Sequence, residues 1–246
     1  MPTRILLINP VGTSAFDEPK KKYLSQYKRP DTVIDVVSLS KGPLHLEYYS
    51  YDALVIPEIL KLVKKAEREG YDAVIIGCFY DPGLHEAREI TNIVVTAPCE
   101  SSLHIAATLG NKFAIIVGRK KWIPHMMRNV IDYGLKDKLQ SFKTVDLGVH
   151  DLHKDEEETK RRLIKVAREA VNEGAEVIIL GCALFFGFFK ELQEIIGVPV
   201  IDPLIAALKY AELLTEVKKL AGWTHSKVCE YEPPPEREIK EWGLEL

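Results

Sequence analysis

Short runs of aliphatic and β-branched residues alternate along this chain with longer stretches whose apolar positions recur every three or four residues. Residues 4–9 (RILLIN), 32–39, 73–76 and 93–96 are predicted strands, separated by helices predicted at 16–27, 53–69 and 84–90. The second helix is marked by Leu54, Ile59, Leu62, Val63 and Ala66 and stopped by Gly70. The order then restarts. Strands are predicted at 112–117, 142–147, 176–180 and 198–201, with helices at 100–109, 122–133, 156–173, 185–196 and 203–220. The inner strands are apolar throughout rather than alternating, as in parallel sheets covered on both faces. Strand and helix alternation therefore predicts an α/β protein of mostly parallel sheets flanked by helices.

One segment occurs twice. EGYDAVIIGC ends at Cys78 and EGAEVIILGC ends at Cys182, so Glu69, Gly70, Gly77 and Cys78 recur 104 residues later as Glu173, Gly174, Gly181 and Cys182. Pro98 and Pro203 follow matching strands. The pattern predicts two similar lobes made by internal duplication, residues 1–97 plus 203–246 and residues 98–202, with an active site between them. Each cysteine then lies where a buried strand gives way to a loop, the edge at which open α/β sheets bind ligands. The tail from Trp223, rich in proline and charge, is expected to drape over the surface.

Composition narrows the partners. A net charge of −3 carries no polyanion-binding signature, so nucleic acid is not expected. The longest apolar stretch, 177–189, is too short for a bilayer and is broken by Gly181 and Gly187. The first ten residues run straight into a strand pattern, unlike a signal peptide, and a cytoplasmic location is expected. The four cysteines form no CxxC pair, so no metal is expected. Abundant Lys and Glu with few Gln and Asn match a thermophile's composition.

The run GCFYDPGLHEARE (Gly77–Glu89) resembles the hydantoin and allantoin racemases of the aspartate/glutamate racemase superfamily. Further segments agree in order: Ile8–Pro10, Gly42-Pro43 with Glu47, ESSLHIAATLGNKFAIIV from Glu100, Gly181–Ala183, VPVIDP, and the Thr224–Pro235 pattern, interrupted here by His225. The resemblance implies two catalytic cysteines, Cys78 and Cys182, a small-molecule substrate, no cofactor and a homo-oligomer. It also implies an enzyme that racemises the carbon α to a carbonyl in a cyclic amide. Aspartate and glutamate racemases carry polar residues after their cysteines; here Phe79-Tyr80 and Ala183-Leu184 follow, which suit an uncharged ring. With Asn9 and Gly118, these four are the expected substrate-binding residues. Two departures stand out. Leu184-Phe185 replaces Gly-Met, and Val117-Gly118 replaces a pair of threonines whose hydroxyls would bond substrate. The alternatives are an aspartate or glutamate racemase and a non-catalytic two-lobed binding protein.

Two thiols suit racemisation because one face must lose a proton while the opposite face gains one. A helix N-terminus after each cysteine would favour thiolate, and backbone N–H groups of residues 79, 80, 183 and 184 would stabilise an enolate. Other chemistry-bearing residues read as structural. Asp81 belongs to an Asp-Pro-Gly turn, His85 and His104 to helices, His150 and His153 to a solvated loop, and residues 156–162 to a solvated helix face. Cys99 and Cys229 have no duplicate and read as structural.

Overall fold

The computed structural model describes residues 2–243. Its elements run β1 (Thr3–Asn9), α1 (Asp17–Ser25), β2 (Thr32–Ser38), α2 (Tyr49–Arg68), β3 (Ala73–Ile76), α3 (Leu84–Ile90) and β4 (Val94–Thr96). They continue as α4 (Pro98–Leu109), β5 (Phe113–Val117), α5 (Ile123–Asp132), β6 (Leu139–Thr144), α6 (Glu156–Asn172), β7 (Val177–Leu180), α7 (Phe189–Ile196) and β8 (Val200–Ile201). α8 (Pro203–Ala221) and α9 (Glu236–Glu241) close the described chain.

All the strand pairs are parallel, in two four-stranded sheets with the orders β2-β1-β3-β4 and β6-β5-β7-β8. The second order repeats the first, as duplication requires. Two compact units result. One takes the chain up to Gly77, Asp81–Ala97 and the chain from Leu208 onward; the other takes Cys78–Tyr80 and Pro98–Ala207. In each sheet the inner strands are buried, β1 from Ile5 onward and the others along their length, so the core lies on both faces of β1 and β3, and of β5 and β7.

Three elements depart furthest from expectation, the first being α2, which starts at Tyr49, four residues before the predicted 53. β6 lies three residues earlier than the predicted 142–147. It is an edge strand with every residue half-buried, so it carries no hydrophobic period. Asp146 adopts φ 53, which ends the extended backbone just past Thr144. The helix predicted at 185–196 begins only at Phe189, because Gly187 takes a left-handed φ of 92. The apolar residues Ala183–Phe185 thus form turns, although their burial is complete or nearly so.

Tail and last helix are tied to the first unit by side chains. Glu212 on α8, 3% exposed, accepts from the Arg29 N–H at 2.7 Å, Thr32 Oγ1 at 2.8 Å and Lys209 Nζ at 2.8 Å. Three donors satisfy a buried carboxylate that would otherwise be costly. On the outer edge of β4, Val95 donates its N–H to His225 Nε2 at 3.0 Å and accepts Arg88 at its carbonyl. Both outward backbone groups of Val95, on a strand at the sheet's edge, are so occupied. Lys227 Nζ reaches the carbonyls of Arg88, Glu89 and Thr91 at the end of α3, where helix carbonyls lack partners. The tail expected to drape is anchored, and His225, the residue that interrupts the terminal pattern, is one of its anchors.

Candidate functional site

Each Gly-Cys pair sits at the carboxyl end of its sheet for a steric reason. Gly181 donates to the Ile116 carbonyl at 2.7 Å, and Gly77 to the Ile8 carbonyl at 2.8 Å. A Cβ on Gly181 would meet Ile115 Cγ2 at 2.8 Å, the Ile116 oxygen at 2.9 Å and Val117 Cγ1 at 2.9 Å. On Gly77 it would meet Leu7 Cδ2 at 3.0 Å and the Ile8 oxygen at 3.1 Å. The repeated glycine is therefore demanded by the close approach of the neighbouring strand, and the next residue is released into a loop. Cys78 and Cys182 are both outside any disulfide and both half-buried, whereas Cys99 is buried and Cys229 exposed.

Phe79, Tyr80, Ala183 and Leu184 are all buried, so apolar surface follows both thiols. Neither thiol is at once followed by a helix, however. α3 begins at Leu84 and α7 at Phe189, with turns between, and Asp81 takes a left-handed φ of 52 in the first of them. The expected helix N-termini stand about a turn or more beyond the cysteines.

The loop after Cys78 is held by α5. Asn129 Nδ2 donates to the Tyr80 carbonyl at 2.8 Å, and His125 stacks on the Tyr80 ring at 4.2 Å with an interplanar angle of 12°. Burial, aided by the positive charge of Arg128, pushes the His125 imidazole down to about 4, so it is neutral at pH 7. Unfolded, the same ring titrates near 6.5. Between these values the folded chain binds fewer protons than the unfolded one, so stability is present above about 6.5 and lost as pH falls towards 4. The shift corresponds to roughly 3 kcal/mol, which solvent at this half-buried ring reduces to about 1–2. Substituting His125→Phe should keep the stack and flatten the fall. Melting curves of both proteins between pH 7 and 4.5 check this; parallel losses of Tm would contradict it.

The loop after Cys182 is held by His153, a residue expected in a solvated loop. His153 Nε2 lies 2.7 Å from the Leu184 carbonyl and Nδ1 lies 3.1 Å from Glu156 Oε1, with Phe186 and Phe188 against the ring. The HDLH segment thus acts as a strut through His153, and no group of three metal-ligating side chains occurs among the described residues.

Asn9 is buried at the end of β1, as expected, but its side chain is spoken for. Oδ1 accepts from Lys20 Nζ at 2.7 Å, and Nδ2 faces Ser38 Oγ at 3.0 Å and Asp17 Oδ1 at 3.4 Å. Lys20 is a buried lysine that sequence reasoning missed. The available signal was Leu24, which shares its helix face four residues on. Gly118 follows β5. The register with β7 ends at Ile116↔Leu180, and Gly118 bonds on the β6 side, its carbonyl accepting from the Leu147 N–H at 3.1 Å.

Residues 5–211 match the family described as Asp/Glu/Hydantoin racemase. Among curated proteins, the hydantoin racemase of Pseudomonas sp. (strain NS671) is 35% identical over 96% of this chain and 93% of its own. The hydantoin racemase of Paenarthrobacter aurescens is 36% identical over 96% and 99%. Among solved structures, an allantoin racemase from Klebsiella pneumoniae aligns with a TM-score of 0.86 and 26% identity, covering 95% of this chain and 94% of that one.

Proposed function

Because the chain belongs to the Asp/Glu/Hydantoin racemase family, we propose that it inverts the carbon α to a carbonyl of a cyclic amide, a 5-substituted hydantoin or allantoin. Cys78 and Cys182 are the proton-transfer pair and no cofactor takes part. The observation that carries this reading is the duplicated Gly-Cys edge: two half-buried thiols at equivalent sheet ends, each followed by buried apolar side chains.

In one direction the thiolate of one cysteine takes the α-proton, forming S–H as C–H breaks, and the electron pair passes to the carbonyl as an enolate. The other thiol then gives its proton to the opposite face, and the pair is left with its roles exchanged. The reverse reaction runs the same steps from the other thiol. In either direction the reaction starts from one thiolate and one thiol, so the pair carries one proton between them. Buried apolar followers favour a neutral ring and hold water away from the carbanion.

The test is proton NMR in deuterated buffer with single enantiomers of 5-substituted hydantoins, allantoin, aspartate and glutamate, each followed also by polarimetry. Loss of the α-proton signal together with loss of rotation, confined to the cyclic amides and unaffected by chelator, is the expected result. Turnover of aspartate or glutamate alone would transfer the activity to amino acids. Binding of a cyclic amide without any exchange would make the chain a binding protein.

A further inference from the structure

Trp122 carries a polar atom that the protein itself leaves unused. The residue is 2% exposed, and its indole Nε1 is buried with no hydrogen-bond partner among the described residues. A buried N–H without an acceptor costs about 1–3 kcal/mol, so one is retained only where something else supplies the acceptor or where packing outweighs it.

The position of the ring says what that something is. A Cβ on Gly118 would lie 2.3 Å from Trp122 Cη2 and 2.6 Å from Cζ3, so the far edge of the indole fills the space a side chain at 118 would use. The same Cβ would lie 2.5 Å from the Leu147 carbonyl, so the indole and that carbonyl together close the space. Trp122 also precedes His125 and Asn129 by three and seven residues, which puts all three on one face of the segment leading through α5. His125 and Asn129 both hold Tyr80, two residues after Cys78. The indole therefore lies on the side of this segment that serves the first cysteine loop, with its edge against Gly118.

We propose that Trp122 is a substrate-binding residue whose indole N–H donates to a ring carbonyl of the cyclic amide. The assignment rests on the racemase reading for the identity of the acceptor. A planar N–H donor held by a rigid ring gives one directed hydrogen bond, and the absent Cβ at Gly118 is what makes room for it.

Two experiments test it together. The first compares kcat/KM of the wild type and Trp122→Phe on a 5-substituted hydantoin and on its 2-thio and 4-thio analogues, whose sulfur is a poor acceptor. The wild type should prefer the oxygen compound over one analogue by about tenfold. Trp122→Phe should lose about tenfold on the oxygen compound and show no such preference, with Tm unchanged or raised. A variant that keeps wild-type kcat/KM, or keeps the preference while losing activity, overturns the proposal. The second uses Trp223→Phe/Trp242→Phe, which removes the two exposed indoles and leaves Trp122 as the only one. Adding the hydantoin should change its emission. No change overturns the proposal, whereas a change in a protein that does not racemise the compound would count against the racemase reading and leave Trp122 as a ligand contact.

Discussion

Cys78→Ser and Cys182→Ser should each lower racemisation of the cyclic amide by about 10³-fold or more, the loss expected when one partner of an acid–base pair is removed. A serine hydroxyl is far too weak an acid and base to replace a thiol at neutral pH. The two variants should nonetheless differ from a dead protein. Each keeps one thiol, so each should exchange the α-proton of one enantiomer for solvent deuterium and return it to the same face. Cys78→Ser should exchange one enantiomer and Cys182→Ser the other. Chiral chromatography with NMR of the recovered substrate reads this. Full racemisation by either variant would remove that cysteine from the mechanism. Exchange of both enantiomers by one variant would show a single base working on both faces.

A methyl group at the second Gly-Cys edge should cost more than at the first. Gly181→Ala places its Cβ within 2.9 Å of a backbone oxygen and of side chains from two residues of the adjacent strand. Backbone cannot give way as a side chain tip can, so a cost of about 2–3 kcal/mol is expected. Gly77→Ala meets Leu7 Cδ2 at 3.0 Å and a carbonyl at 3.1 Å, contacts that a small shift relieves, for about 1 kcal/mol. In a chain of this size each kcal/mol lowers Tm by about 2–4 °C. Equal melting temperatures for the two variants would show that the neighbouring strand yields at both edges. The same displacement should carry Cys182 with it, so Gly181→Ala should lose activity at temperatures where it is still folded.

The duplication was legible because a buried parallel strand leaves an unbroken apolar run, and two such runs ended on the same pair of residues. What could not be read was structure set by distant partners. β6 has no period to read because an edge strand is half-buried on every residue. The late start of α7 turns on the left-handed backbone at Gly187, while the apolar run around it mimics a helix. Lys20 and His153 were placed in solvent or passed over because their side-chain chemistry says exposed. Their burial depends on Asn9, eleven residues away, and on Leu184, thirty-one residues away. Gly118 was read as the loss of a hydroxyl; Trp122, which fills that space, stands four residues further on and looked like an ordinary helix start.

The two side chains on the rim of β4 also govern how this protein behaves when shortened. A chain ending before His225 keeps every strand and helix of its first unit through α8, yet the Val95 N–H loses its acceptor and faces water as an open donor. Such an edge is a template for another strand. Removing the tail should thus make the chain associate through β4, at a rate rising with protein concentration. Light scattering on a chain ending at Gly222 would record it.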